Sequence, residues 1–201
     1  VSIRIKDLAE IQIGYQFRQG FDANPFGTHL VVQVRDIDEQ SNHRLVSAQL
    51  ARTNLKGDPS RYLVYNGDVL FLSKGRRHSA TLVEGLPKGR GAIAAGYFFI
   101  LRPDAGRVRP DFLSWTINGP QCKAYLQSVA RGSGMPFVPK DAFANMTIDL
   151  PDLTTQSRIV QLNDLAERES ALLERLRTKR TELIHGICTN AARETGRQAK
   201  E

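Results

Sequence analysis

The chain has 201 residues, with 28 lysines and arginines against 21 aspartates and glutamates, a formal net charge of +7. Hydrophobic residues at 41% and charged residues at 24% are ordinary for a soluble globular chain, which excludes whole-chain disorder, collagen and a disulfide scaffold. The length suits one domain of about 150 residues plus an extra element, and the positive balance points to an acidic partner, most commonly nucleic acid.

Short strands come first. Leu30-Val31-Val32-Gln33-Val34 is β-rich and ends at Arg35-Asp36. Tyr62–Tyr65 and Val69–Leu72 flank the turn Asn66-Gly67, so they read as a hairpin or as strands joined by a tight turn. Ala92 to Leu101 carries the β-rich Tyr97-Phe98-Phe99-Ile100 and stops at Arg102-Pro103. Pro110-Asp111 opens a helix through Trp115 and Ile117. A second helix covers Gln121 to Val129, with Cys122, Tyr125, Leu126 and Val129 on one side. Ile148-Asp149-Leu150 is a short strand before Pro151.

After Pro151 the texture changes. All nine prolines and 14 of the 16 glycines precede residue 154. Thr154 or Thr155 is the expected N-cap of a long helix. Steps of three and four from Ile159 land on Leu162, Ala166, Glu169, Leu173, Leu176, Arg180, Leu183 and Ile187, a sustained heptad seam. From 154 to 192 such a helix extends roughly 58 Å at ~1.5 Å per residue, too long to bury its stripe on its own domain. A partner helix is therefore expected, the alternative being a helix folded back over the domain and broken near Arg177-Thr178. The organisation reads as a domain over 1–153, a helix over 154–192 and a flexible tail over 193–201.

Charge follows the same division. Residues 1–153 hold 19 basic and 14 acidic side chains, against 9 and 7 in the remainder. The sharpest basic cluster is Lys74, Arg76, Arg77 and His78, directly after the strand Val69–Leu72 and loosened by Gly75. Such a loop suits phosphates and guanine edges, and arginine bonds guanine with two donors at once. Lys88-Gly89-Arg90 is a second basic stretch, and Ala130–Pro136, with Arg131 and two glycines, is a loop whose N–H groups can approach a phosphate. Gly14–Arg18 adds aromatics beside Arg18.

Catalytic signatures are largely missing. No Asp or Glu stands two residues before a Lys, as in many metal-dependent nucleases. There is no phosphate loop ending in Gly-Lys-Ser/Thr and no Gly-x-Ser-x-Gly elbow. The four histidines show no ligand spacing. Cys122 and Cys188 lie far apart and read as reduced thiols of a cytoplasmic protein. The longest nearly apolar run, Gly91 to Leu101, is about half the ~20 residues of a membrane span, and the N-terminus has no signal-peptide pattern.

Four blocks resemble the specificity subunits of type I restriction–modification systems. Ile5–Arg18 resembles the opening of their target recognition domains, and Gln33-Val34-Arg35-Asp36-Ile37 is similar to their next strand and Asp-Ile turn. Gly67–Gly75 is similar to their Gly-Asp-Val-Leu block, and Leu150–Val160 resembles the Pro-containing entry into their long helix. The resemblance implies an α+β fold: a mixed target recognition domain with a twisted sheet, then one long C-terminal helix for antiparallel coiled-coil packing. The family's usual subunit carries two such domains and two helices, so this chain reads as a half-length version that pairs as a homodimer on an inverted-repeat site.

The expected function is sequence-specific recognition of double-stranded DNA by a non-catalytic subunit. It would direct a methyltransferase (modification) subunit, which brings S-adenosylmethionine, to a bipartite site in phage defence. The restriction subunit is a further implied partner. Lys74, Arg76, Arg77, His78, Arg18 and Arg131 are the expected DNA contacts, chosen by charge and loop placement rather than by the resemblance. Leu162, Leu173, Leu176, Leu183 and Ile187 are the expected association seam. Two alternatives stand beside this reading: a metal-dependent DNA nuclease using Asp36, Asp38 and Asp68, and a helix-mediated protein adaptor that never meets DNA.

Overall fold

A computed structural model describes residues 1–17, 20–38, 44–45, 50–55 and 57–198. The chain divides into two units, Val1–Ser157 and Arg158–Glu201. The first is α+β. Its strands are β1 (Ser2–Arg4), β2 (Ala9–Ile13), β3 (His29–Val32), β4 (Ile37–Asp38), β5 (Arg44–Leu45), β6 (Ala51–Thr53), β7 (Leu63–Val64), β8 (Val69–Leu72), β9 (Ala80–Leu82), β10 (Ala92–Ala94), β11 (Phe98–Pro103) and β12 (Thr147–Asp149). Three short helices, α1 (Pro110–Ile117), α2 (Pro120–Val129) and α3 (Lys140–Asn145), lie between β11 and β12.

The described strands form two four-stranded sheets, ordered β6-β3-β10-β7 and β2-β11-β8-β9, with two small ribbons, β1-β12 and β4-β5. Among the described strands the pairings are antiparallel except β3 with β10, and an isolated parallel bridge joins Tyr15 to Ala95. The chain changes sheets at two places that read as continuous in the sequence. Of the two readings at Asn66-Gly67 the structure has the tight turn, closed by Asp68 N donating to Tyr65 O at 3.0 Å, and not the hairpin. β8 is already paired on both edges, by β11 and β9, so no edge is left for β7. The turn instead extends the β8–β9 ladder, with Gly67 N donating to Val83 O at 3.0 Å and Val83 N to Asp68 O at 2.8 Å. The run Ala92–Leu101 likewise breaks at Ala95–Tyr97 into β10 and β11, which belong to different sheets. The strand expected over Leu30–Val34 ends at Val32, and Val34–Asp36 forms a 3-10 turn.

Burial explains the hydrophobic runs. All four residues of β8 are buried, which an alternating half-buried strand would not show. Leu70 and Leu72 join Phe98 and Ile100 in a core with Val32, Val64, Ala92 and Ala94 of the other sheet. Phe71 points the other way, its ring 4.1 Å from Phe143 of α3 and 6.0 Å from Phe99. On the same side α1 is tied to β9, with Ser114 Oγ and Asn118 Nδ2 donating to Ala80 O. The central sheet is thus covered by a sheet on one face and helices on the other. Gly14 permits a close crossing at the sheet corner: a Cβ there would lie 2.3 Å from Ala95 O.

The long helix α4 runs Leu153–Gln198, six residues beyond the expected end at 192. Its cap is Asp152 rather than Thr154 or Thr155. The Asp152 carboxylate accepts from Thr155 N at 3.0 Å and Thr155 Oγ1 at 2.8 Å. These hydrogen bonds hold its pKa below the ordinary carboxylate value. Among the described residues, no helix is long and apolar enough to cross a membrane.

Candidate nucleic-acid interface

The Lys74–His78 loop leaves the sheet where β8 ends. Ser73 is buried and doubly anchored, its N and Oγ both donating to Tyr97 O at 2.9 Å. Leu72 N donates to Ser79 O at 2.8 Å and closes the loop at its base. His78 is part of this closure. Its Nδ1 lies 3.1 Å from Leu72 O, and its ring stacks on Phe71 at 6.2 Å. His78 therefore holds the loop, while Arg76 and Arg77 beside it are exposed.

The Ala130–Pro136 loop is brought to the same place. Phe137 pairs with Arg131 through both backbone groups, at 2.9 and 2.8 Å, and forms a second antiparallel bridge with Lys74. Gly75 N donates to Pro136 O at 2.8 Å, with Gly75 at φ +123°, a conformation that a side chain would strain. Val138 N donates to Ser73 O at 2.8 Å. Two loops more than fifty residues apart in sequence are thereby zipped into one surface.

That surface carries cations without anions. The segments 69–83 and 112–140 contain no Asp or Glu. Arg76, Arg77 and His78 line a cleft of about 210 Å³ with Lys123, Leu126 and Gln127 of α2. Lys74 Nζ sits 5.9 Å from the centroid of the exposed Tyr97 ring. Met135 and Phe137 are also exposed. The combination of arginines, a lysine-lined cleft and exposed rings can neutralise phosphates and press on base or sugar edges.

Four of the six expected contacts, Lys74, Arg76, Arg77 and Arg131, meet on this surface. Arg18 lies outside the described residues. Lys123, Tyr97 and Phe137 were not expected; the sequence signal that could have found Lys123 is the acid-free stretch over 112–140. The second basic stretch falls elsewhere. Lys88–Arg90 follows Leu86, whose backbone is tied to Asn66 at the opposite end of β8. The aromatics after Gly14 make a packing chain rather than a binding face. Phe17 meets Tyr15 at 4.8 Å and Phe21 at 5.4 Å, and packs against the core.

The carboxylates of the nuclease alternative serve turns. Asp36 Oδ2 accepts from Gln33 N and Asp68 Oδ2 from Tyr65 N, each at 2.8 Å. Burial pushes both carboxyls above the usual range. Asp38 stands opposite Arg44 in the backbone register of the β4–β5 ribbon. The described residues contain no group of three His, Cys, Asp or Glu that could hold a metal ion. All five expected seam residues on α4 are exposed, each by 59% or more.

No protein-family model matches the sequence, and no curated protein matches it significantly. Solved structures do match. The HsdS subunit from Thermoanaerobacter tengcongensis aligns with a TM-score of 0.66 and 24% identity, over 89% of this chain and 44% of that one. A chain from a structure of the complex assembly and conformational transition of the type I R-M system gives 0.67 and 18%, over 89% and 41%. The type I restriction–modification S subunit from M. genitalium gives 0.55 and 9%, over 82% and 38%. The chain spans about two-fifths of the length of these structures, and within that span it has the fold of type I specificity subunits.

Proposed function

We propose that this chain is a DNA sequence-recognition module acting within a type I restriction–modification complex. The observation that carries the reading is the zipped surface of Lys74, Arg76, Arg77, Lys123 and Arg131, presented free of acidic residues at the end of the central sheet. Its fold likeness to specificity subunits supports the same reading. In it the chain performs no catalysis. It binds double-stranded DNA and positions a methyltransferase subunit, which supplies S-adenosylmethionine, at a bipartite site, with the restriction subunit as a further partner. The exposed seam of α4 pairs with a second copy, so that two domains read two half-sites.

The test is a binding titration across salt on a random-sequence duplex pool and on the site enriched from it. Arg76→Ala with Arg77→Ala is expected to weaken binding about tenfold or more and to flatten the salt slope by about 2, with the circular dichroism unchanged. Unchanged binding by the folded double variant removes this surface from the reading. Divalent-metal-dependent cleavage of DNA by the purified chain supports the nuclease alternative instead. Absence of any salt-dependent DNA binding supports the adaptor.

A further inference from the structure

The seam of α4 carries information about how it pairs. Leu162, Leu173, Leu176, Leu183 and Ile187 lie on one heptad stripe, and all are exposed. Two charges interrupt that stripe, Glu169 and Arg180, also exposed. Among the described residues neither makes an ion pair within the chain. A facing helix packs a seam residue against each of them, so it must present something that tolerates both charges.

Glu169 and Arg180 are equidistant from the point midway between Glu174 and Arg175. An antiparallel, twofold pair of α4 helices centred on that point sets Glu169 of each copy against Arg180 of the other. The same register sets Leu173 against Leu176, Ala166 against Leu183 and Leu162 against Ile187, so every uncharged layer from Leu162 to Ile187 is apolar on both sides, and only at the end of the stripe does Ile159 face a polar residue, Asn190. A shift of one heptad either way sets Glu169 against Leu173 or Ile187, and Arg180 against Leu162 or Leu176. Each shift sets two charges of each chain, four in the pair, against leucine or isoleucine. A parallel pair in register sets Glu169 against Glu169 and Arg180 against Arg180.

We propose that α4 binds a second copy of itself in this one antiparallel register, and that Glu169 and Arg180 select it. The seam is self-complementary: its apolar layers provide the association, and its two interruptions reject the other alignments. The inference rests on the homodimer and antiparallel-packing reading above and adds to it the register and the two residues that determine it.

Charge reversal tests it on the full chain, with sedimentation as the readout. Glu169→Arg alone, or Arg180→Glu alone, is expected to raise the dimer dissociation constant about tenfold or more by setting like charges together. Glu169→Arg combined with Arg180→Glu is expected to return it to within about threefold, since the swapped charges face each other again. A folded double variant that dimerises no better than the singles overturns the register. A cysteine pair gives a second readout, in a Cys188→Ala background. Ala166→Cys with Leu183→Cys is expected to cross-link between chains with a short bismaleimide. Ala166→Cys alone is expected not to, because its counterpart in the second copy lies about 26 Å away along the axis. Cross-linking by Ala166→Cys alone overturns the antiparallel orientation. A wild-type chain that stays monomeric at high concentration overturns the homodimer reading itself, an outcome distinct from a dimer that the double reversal fails to rescue.

Discussion

Gln156 is a residue whose importance depends on three backbone groups, two of them nearly fifty residues away in sequence. Its side chain is fully buried. Oε1 accepts from Arg109 N at 2.8 Å, and Nε2 donates to Arg107 O at 3.0 Å and Pro151 O at 2.9 Å. It therefore joins the first turn of α4 to the segment that opens α1. Gln156→Leu keeps the volume and strands a donor and two acceptors, so urea unfolding is expected to show a loss of about 3 kcal/mol. A loss under about 1 kcal/mol means the three groups find water instead. In the sequence Gln156 stood out only as part of the Pro-containing helix entry; which groups it binds depends on the approach of residues 107–109. Cys122 makes a similar point. Burial in α2 raises its thiol pKa to about 11, so it stays protonated and shielded from pH 7 to 9. The exposed Cys188 is expected to take up one equivalent of maleimide in the native chain, and a second equivalent is expected only after denaturation.

At the scale of elements, the strands and short helices were legible where periodicity and punctuation agree. Pro110 and Pro120 stand in the first turns of α1 and α2, as the fixed φ of proline favours. Partner choice was not legible. The β8 run Val-Leu-Phe-Leu announces burial, but only the pairing of both its edges explains why Leu63–Val64 joins the other sheet. The two basic loops were each visible, and their junction through Phe137 was not. That junction requires Gly75 at its positive φ. Gly75→Val is expected to strain the loop by about 1–3 kcal/mol and to weaken DNA binding while the sheet remains folded. Hydrogen exchange at the Gly75 and Phe137 amides reports the loosening. Protection equal to wild type in Gly75→Val removes the zipper from the account.

At the scale of the molecule, α4 is the element whose surface the chain leaves open. Eight large aliphatic side chains from Leu162 to Ile187 are exposed, well beyond scattered surface leucines. Leu176→Lys sets an ammonium into the central apolar layer and is expected to turn a sedimenting dimer into a monomer, with each domain still folded. An unchanged dimer places the contact elsewhere. The sequence by itself carried the change of texture after Pro151, where α4 begins at Leu153, the acid-poor basic loops and the apolar stripe of α4. These are local patterns, because periodicity, capping and charge order are properties of neighbouring residues. Only the tertiary structure decided that the described strands divide between two four-stranded sheets, that the loops after β8 and α2 form one cationic surface, and that Lys88–Arg90 lies away from it. It also decided that Asp36 and Asp68 serve turns. Each of these depends on which distant backbone groups meet, and a strand's spare edges or a loop's free N–H groups are settled by competition across the whole fold rather than by the residues that carry them.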